Sequence, residues 1–437
     1  MKFQVNRDVL AEAVSFAVKL LSGRNPLAIL SGVLIEATPD GVVLSSFDYE
    51  VSTTTTIAAT VEEPGKVLVL GVVTAALLAC SGNSRVRKPA DLVEVKNQFD
   101  LQPVWSTSVG SSESFHFDPV VAGNSVYAAS HRGNLTKIDL ASGNKVWEVS
   151  VPERLAIGPG SDGRTTVAVS IKGNVYAYDD TGKALWNVNV GSEVLSEPVV
   201  AGGVVVIRGL DNRFMGLDAQ TGARKWNYQR QQSALSLRVG YGMLPINNEV
   251  IVTGFAGGRF GMIALANGGL IWETPVSFPK GFSEIERLND VTAKPSMEGE
   301  ILCAVSYQGR IGCGQARTGN LLWFKDFSSY TGTAQSSDLV FSANEKSHVF
   351  AFATKDGSQV WENTKLTFRD VGEPLAVGRV LLMGDAQGYV HAFAQANGEL
   401  VARIRHDSSP VSAAPIAVGG LIIIQSQGGK IAAYSPK

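Results

Sequence analysis

Few side chains in this 437-residue chain are spaced for chemistry, and the most specific is a cysteine. Cys80 ends the tetrapeptide LLAC (77–80), which closes an apolar run over 67–80. The thirteen residues before it are too few for a stable membrane-spanning helix but suit the hydrophobic region of a secretory signal. A small residue followed by Cys at that point has the form of a lipoprotein processing site, where the thiol is acylated and becomes the new N-terminus. The polar stretch SGNSRVRKPADLVEV (81–95) then reads as a tether, and Ser81 permits export to an outer membrane. The other two cysteines, Cys303 and Cys313, flank the YQG hairpin on neighbouring strands. Their expected register is diagonal, which makes them small buried hydrophobes, although an oxidising compartment would let them bridge.

Other reactive patterns are weak. The five histidines (His116, His131, His348, His391, His406) lie far apart without HExxH or comparable spacing, so no metal centre and no cofactor is expected. GPGSDG (158–163) fits G-x-G-x-x-G, but it lies between strands and is a turn rather than a dinucleotide cradle. There is no GxSxG elbow, and no acidic pair recurs at an expected pocket. A formal net charge of −2 leaves no basic footprint for nucleic acid. The expectation is a protein that binds and does not catalyse.

The elements that hold these residues are set by a repeat. Trp147, Trp186, Trp226, Trp272, Trp323 and Trp361 each close a phrase with Gly four or five residues earlier, as in DAQTGARKW (218–226). A seventh copy, QANGELVA (395–402), has Ala402 in the tryptophan position. A period near 40 residues with four short apolar runs per unit is the mark of a β-propeller. Eight inner strands can be counted, at 118–123, 157–163, 197–203, 244–249, 294–300, 334–338, 373–378 and 414–420. The last unit lacks an outer strand, and PVWSTSVG (103–110) with Trp105 supplies one. The fold class is therefore all-β: an eight-bladed propeller over 101–437, closed by residues 103–109. Its tryptophans should pack between blades.

Before the propeller come three segments: 1–66, 67–80 (the signal-like run) and 81–100 (the tether). Residues 1–66 read as a small truncated α+β unit, with a helical pattern at 9–21 and a strand, turn, strand at 32–48. Its strands should lack partners and leave exposed edges. Within the propeller the spacing breaks twice, 46 residues from Trp226 to Trp272 and 51 from Trp272 to Trp323. The excess lies in 228–243 and 276–294, both leading from an outer strand to the next inner one. These two loops should sit side by side and expose Leu235, Leu237, Arg238, Tyr241, Phe278, Phe282, Ile285, Arg287 and Asp290. Apolar anchors with an Arg and nearby acids make up a protein-binding patch.

Three resemblances bear on function. MKFQVNRDVLAEAV (1–14), LSGVLIEATPDGVVLSSFDYEVS (30–52) and VEEPGKVLV (61–69) resemble the start of the bacterial DNA polymerase sliding clamp, so the chain reads as a chimera, by fusion or by a mis-joined gene, with its seam near 66–70. The repeats resemble the quinoprotein dehydrogenases, which implies a pyrroloquinoline-quinone enzyme as the alternative function. Its Ca²⁺ and quinone motifs are not recognisable here. The lipoprotein site, the tether, VKNQFD (95–100), VWSTSVG (104–110), ALSLR (234–238) and SEIERLNDV (283–291) resemble the BamB family. That resemblance implies a non-catalytic scaffold lipoprotein of the outer-membrane β-barrel assembly machinery. It implies location at the periplasmic face of the outer membrane, anchored through lipidated Cys80. It also implies binding to the periplasmic (POTRA) domains of the insertase BamA through Leu235, Leu237, Arg238 and Asp290. Nascent outer-membrane β-barrel proteins are implied as further partners, pairing with blade edges. Where the family has DVD this chain has DVT, with Thr292 in place of the second acid.

Overall fold

A computed structural model describes residues 2–6, 9–10, 13–14, 32–47, 52–70, 88–230, 237–279 and 287–436. The chain divides into two compact units, Met1–Lys88 and Pro89–Lys437. In the first, strands Ser52–Ile57, Gly41–Phe47, Gly32–Thr38 and Gly65–Leu70 form one antiparallel sheet in that order, and Lys2–Gln4 pairs with Thr60–Glu63. The expectation of unpartnered strands is therefore corrected. Gly65–Leu70 pairs along Gly32–Thr38 from Ala37↔Gly65 to Gly32↔Leu70. Residues 67–70, read from sequence as the start of the signal run, thus belong to this sheet. Alternation explains why: Val33, Ala37, Val42 and Leu44 point to one buried cluster. Cys80 lies outside the described residues.

The second unit is eight four-stranded antiparallel sheets, each matching one of the expected repeats. Blade three shows the pattern. Inner strand Val199–Ala201 is followed by Val204–Arg208, Arg213–Asp218 and outer strand Arg224–Gln229. Its second strand is apolar from Val204 to Ile207 because both its faces are covered. Val205 and Ile207 pack toward blade two, whereas Val204 and Val206 pack toward blade four. One such cluster fills each of the eight interfaces between successive blades. Blade eight comprises Ile416–Val418, Leu421–Gln425, Lys430–Pro436 and, from the start of the unit, Leu101–Ser108. The ring closes there, with Ala433 opposite Trp105.

Each tryptophan clamps two blades. Its indole N–H donates to a backbone carbonyl of the next blade: Trp105 to Leu140, Trp147 to Asp180, Trp186 to Ala219, Trp226 to Leu265, Trp272 to Ala316, Trp323 to Thr354 and Trp361 to Gln395. Its ring lies over the glycine of that blade's last hairpin. A Cβ on Gly268, for example, would fall 2.4 Å from the Trp226 ring, and its φ of +70° already disfavours a side chain. This geometry explains Ala402. Blade eight takes its outer strand from the start of the unit, so it has no last hairpin for a tryptophan to cover. Phe99 packs against the cluster holding Ala402 instead.

Two further expectations are corrected. Residues 90–98 are not a free tether: Ala90 N–H donates to Thr367, Gln98 N–H donates to Val401, and Asn97 pairs with Arg403. Cys303 and Cys313 are directly opposed rather than diagonal, and they form a disulfide with Cα atoms 4.1 Å apart. Facing residues on adjacent strands come this close only in a non-hydrogen-bonded pair, and that is where the hairpin register puts them.

Candidate functional site

The two irregular connections do lie together, and a buried carboxylate joins them. Asp290, from the second, is 1% exposed. Its Oδ2 accepts from the Leu237 N–H and the Tyr241 hydroxyl of the first, each at 2.8 Å. Its Oδ1 accepts from the Gly257 N–H of a blade-four hairpin at 3.1 Å. Backbone bonds add to this: Gly242 N–H donates to Thr292, and Val291 N–H donates to Phe255. Asp290, read from sequence as exposed, is thus buried and holds Leu237, Tyr241 and Gly257 by hydrogen bonds. Tyr241 is likewise buried rather than exposed. Thr292, in place of an acid, is buried too and holds Gly242 through its carbonyl.

Under Tyr241 lies a buried cation that sequence reading did not find. The Arg208 guanidinium sits 3.9 Å from the Tyr241 ring centre and 4.9 Å from that of Phe214. It donates to Thr253 Oγ1 and the Gly254 carbonyl. Burial pushes Arg208 down to about 9. Burial, and next Asp290, raise the Tyr241 phenol far above its usual range, so it stays a donor to that carboxylate. The aromatic faces and Asp290 compensate a charge that would otherwise be costly to bury.

Above this base, Leu237 is half-buried, and Arg238 and Val239 are exposed. Arg238 reaches both Glu193 carboxylate oxygens at 2.6 Å. An exposed pair of this kind contributes little to stability, so the guanidinium can change partner at low cost. Phe278 and Arg287 are exposed. Leu235, Phe282 and Ile285 lie outside the described residues.

The axial channel carries a second constellation, which the sequence reading did not find. A cavity of about 990 Å³ runs past Asp118, Glu197, Lys294 and Glu373. Each immediately precedes the proline that opens the inner strand of blade one, three, five or seven. The sequence signal was there, in the dipeptides DP, EP, KP and EP at alternate repeats. Even-numbered blades place small residues at the matching points. A Cβ on Gly158 would lie 2.5 Å from Glu197 Oε1. His116 Nε2 lies 2.9 Å from Asp118 Oδ1 and 3.8 Å from Glu373 Oε1.

Burial alone would depress His116, but Asp118, then Glu373 and Glu197, raise it to about 10. Asp118 is held low by His116 and Lys294 against the effect of burial. Burial and then Asp118 push Glu197 up to about 8 and Glu373 up to about 7. One ligand atom each from His116, Asp118 and Glu373 lies within 4.8 Å of the others, a set chemically able to hold a cation. Lys294 and, when protonated, His116 oppose the charge of these carboxylates.

The family model described as outer membrane protein assembly factor BamB matches residues 49–149 and 131–363. The model of the DNA polymerase III beta subunit, N-terminal domain, matches residues 1–76. The BamB of Burkholderia pseudomallei is 39% identical over 82% of this chain and 94% of its own length. That of Bordetella pertussis is 36% identical over 84% and 97%. Among solved structures, BamB from Moraxella catarrhalis superposes with a TM-score of 0.70 at 24% identity, over 77% of this chain and all of that one. The quinohemoprotein alcohol dehydrogenase of Comamonas testosteroni reaches 0.58 at 14% identity over 77% and 76%, a likeness of fold alone.

Proposed function

The chain belongs to the family of the outer membrane protein assembly factor BamB, non-catalytic scaffolds of outer-membrane protein assembly, and we propose that it binds the periplasmic POTRA domains of the insertase BamA through its two irregular loops. The observation that carries this reading is the buried Asp290, which ties Leu237 and Tyr241 of one loop to the base of the other. A binding patch needs its groups fixed before the partner arrives, because ordering them on binding weakens affinity. Leu235 and Leu237 are the apolar anchors, and Arg238 exchanges Glu193 for an acid of the partner. Asp290 and Thr292 act through the loops rather than by contact.

The same reading places the protein at the periplasmic face of the outer membrane, held by lipid on Cys80. The Cys303–Cys313 disulfide supports an oxidising compartment of that kind. The test is titration of the protein into the purified periplasmic region of its cognate insertase, alongside Leu237→Ala and Arg238→Ala. Saturable binding by the parent, weakened at least tenfold in each variant, is expected. Unchanged binding by both variants would remove these loops as the contact. For the anchor, Cys80→Ser should abolish radiolabelled palmitate incorporation and release the protein from outer-membrane fractions.

A further inference from the structure

In the axial channel an imidazole nitrogen and a carboxylate oxygen approach each other without bonding. His116 Nε2 lies 2.9 Å from Asp118 Oδ1. That oxygen is nevertheless buried and accepts no hydrogen bond among the described residues. A buried acceptor left without a donor asks for an explanation. Close approach without alignment is the arrangement of two ligands that share an ion, rather than of a hydrogen-bonded pair. Glu373 Oε1 stands 3.8 Å from His116 Nε2, and one ligand atom from each of the three residues lies within 4.8 Å of the others. Around one ion with bonds of about 2.1 Å, ligand atoms stand roughly 3–4 Å apart. A small turn of the Glu373 carboxylate closes the set. A search for paired histidines misses it, because its carboxylates come from Asp118, two residues away, and from Glu373 on another blade.

Local structure holds these groups in place. Pro119 and Pro374 follow the two carboxylates and confine each to an extended backbone. The Asp118 N–H donates to Glu197 Oε1 at 2.8 Å, which fixes it from blade three. The charges also match an ion. Asp118, Glu197 and Glu373 share the cavity with one lysine, Lys294. A histidine ligand must be neutral, so three negative charges against one positive leave a deficit that a single divalent cation balances. An imidazole nitrogen among carboxylate oxygens favours Zn²⁺ and its first-row neighbours over Ca²⁺ and Mg²⁺, which take oxygen ligands. The His116 side chain is 42% exposed and lines the cavity, so an ion has a way in.

We propose that His116, Asp118 and Glu373 form a site for a first-row divalent ion of the Zn²⁺ type, which ties blade one to blade seven across the channel. Blade eight lies between those two and is the blade assembled from both ends of the propeller unit. The ion therefore braces the ring on either side of its join. This site is separate from the Leu237–Arg238 patch, and its failure would leave the insertase reading untouched.

The test uses the full-length protein, stripped with EDTA, freed of chelator and titrated with Zn²⁺ by calorimetry and with Co²⁺ by visible absorption. One equivalent should bind, the Co²⁺ bands should vanish on adding Zn²⁺, and millimolar Ca²⁺ or Mg²⁺ should not compete. His116→Ala and Glu373→Gln should each weaken Zn²⁺ binding at least tenfold. His348→Ala, which removes a blade-six histidine paired with Glu362, should bind as the parent does. Zn²⁺ should raise the melting temperature of the parent but not of the two channel variants. Cooperative melting of those variants in EDTA shows that they fold. A parent that binds no Zn²⁺, unchanged affinity in both channel variants, equal loss in His348→Ala, or displacement of Co²⁺ by Ca²⁺ would each overturn the proposal.

Discussion

Replacing Asp290 by Asn isolates the positioning role, because it changes one atom and keeps the shape. The carboxylate accepts three hydrogen bonds, at 2.8, 2.8 and 3.1 Å, from donors on two connections and a hairpin. An amide has one acceptor oxygen. With that oxygen toward Leu237 and Tyr241, its NH₂ meets the Gly257 N–H donor to donor. With it toward Gly257, the Tyr241 hydroxyl can turn to accept but the Leu237 N–H cannot. Either way one bond to a charged acceptor is lost, about 1.5–3 kcal/mol, or roughly 10- to 150-fold in the equilibrium that keeps the loop closed. Removing the charge also withdraws a countercharge from buried Arg208, so the upper part of that range is expected. The loss should fall on local opening, since the inter-blade clusters are untouched. Amide exchange should accelerate at least tenfold at Leu237 and Gly257. Affinity for the insertase periplasmic region should fall by the fraction of molecules left closed. Exchange at both amides within threefold of the parent would refute the argument that Asp290 fixes this surface.

Other consequences follow from the rest of the molecule. Glu197 and Glu373 have folded-state values raised to about 8 and 7, so folding favours their protonated forms and stability should decline as pH rises from about 4.5 to 8. His116, raised to about 10, acts in the same direction from about 6.5 upward, so Glu197→Gln/Glu373→Gln should flatten the melting profile between pH 5 and 8. Gly268→Ala should destabilise by about 1–3 kcal/mol in urea, because its Cβ meets the Trp226 ring and its φ is +70°. Ala402→Trp should also destabilise by about 1–3 kcal/mol rather than restore a missing clamp, since blade eight offers no hairpin glycine. Cys303→Ser/Cys313→Ser should cost about 2–3 kcal/mol, the entropy of a short closed loop, read as a lower urea midpoint.

Much of the fold was legible because a propeller repeats its local chemistry. Trp at one point and Gly in the hairpin of the next unit mark every blade, and Ala402 correctly marked the odd one. The reason for Ala402 was not legible, since it depends on which hairpin lies across the interface. The register of Cys303 and Cys313 was misjudged, because a shift of one residue around a hairpin turns a diagonal pair into a facing one. Residues 67–70 were ambiguous for a different reason. An apolar run satisfies a signal segment and a strand equally, and only the strand beside it shows that 67–70 pair within a sheet.

By itself, the sequence determined the number of blades, the strand that closes the ring, and the two loops that break the period. Those are local properties, written in turn residues and in alternation along single strands. The tertiary structure alone decided what faces what. It carried Asp290 from the expected surface to the interior, 53 residues from the Leu237 N–H it holds. It brought Asp118, Glu197, Lys294 and Glu373 from alternate blades around one channel. It laid residues 97 and 98 over a strand edge about 300 positions away in the chain. Such convergence depends on the closure of the ring, which sums small rotations over eight blades. No stretch of sequence shorter than the ring contains that information.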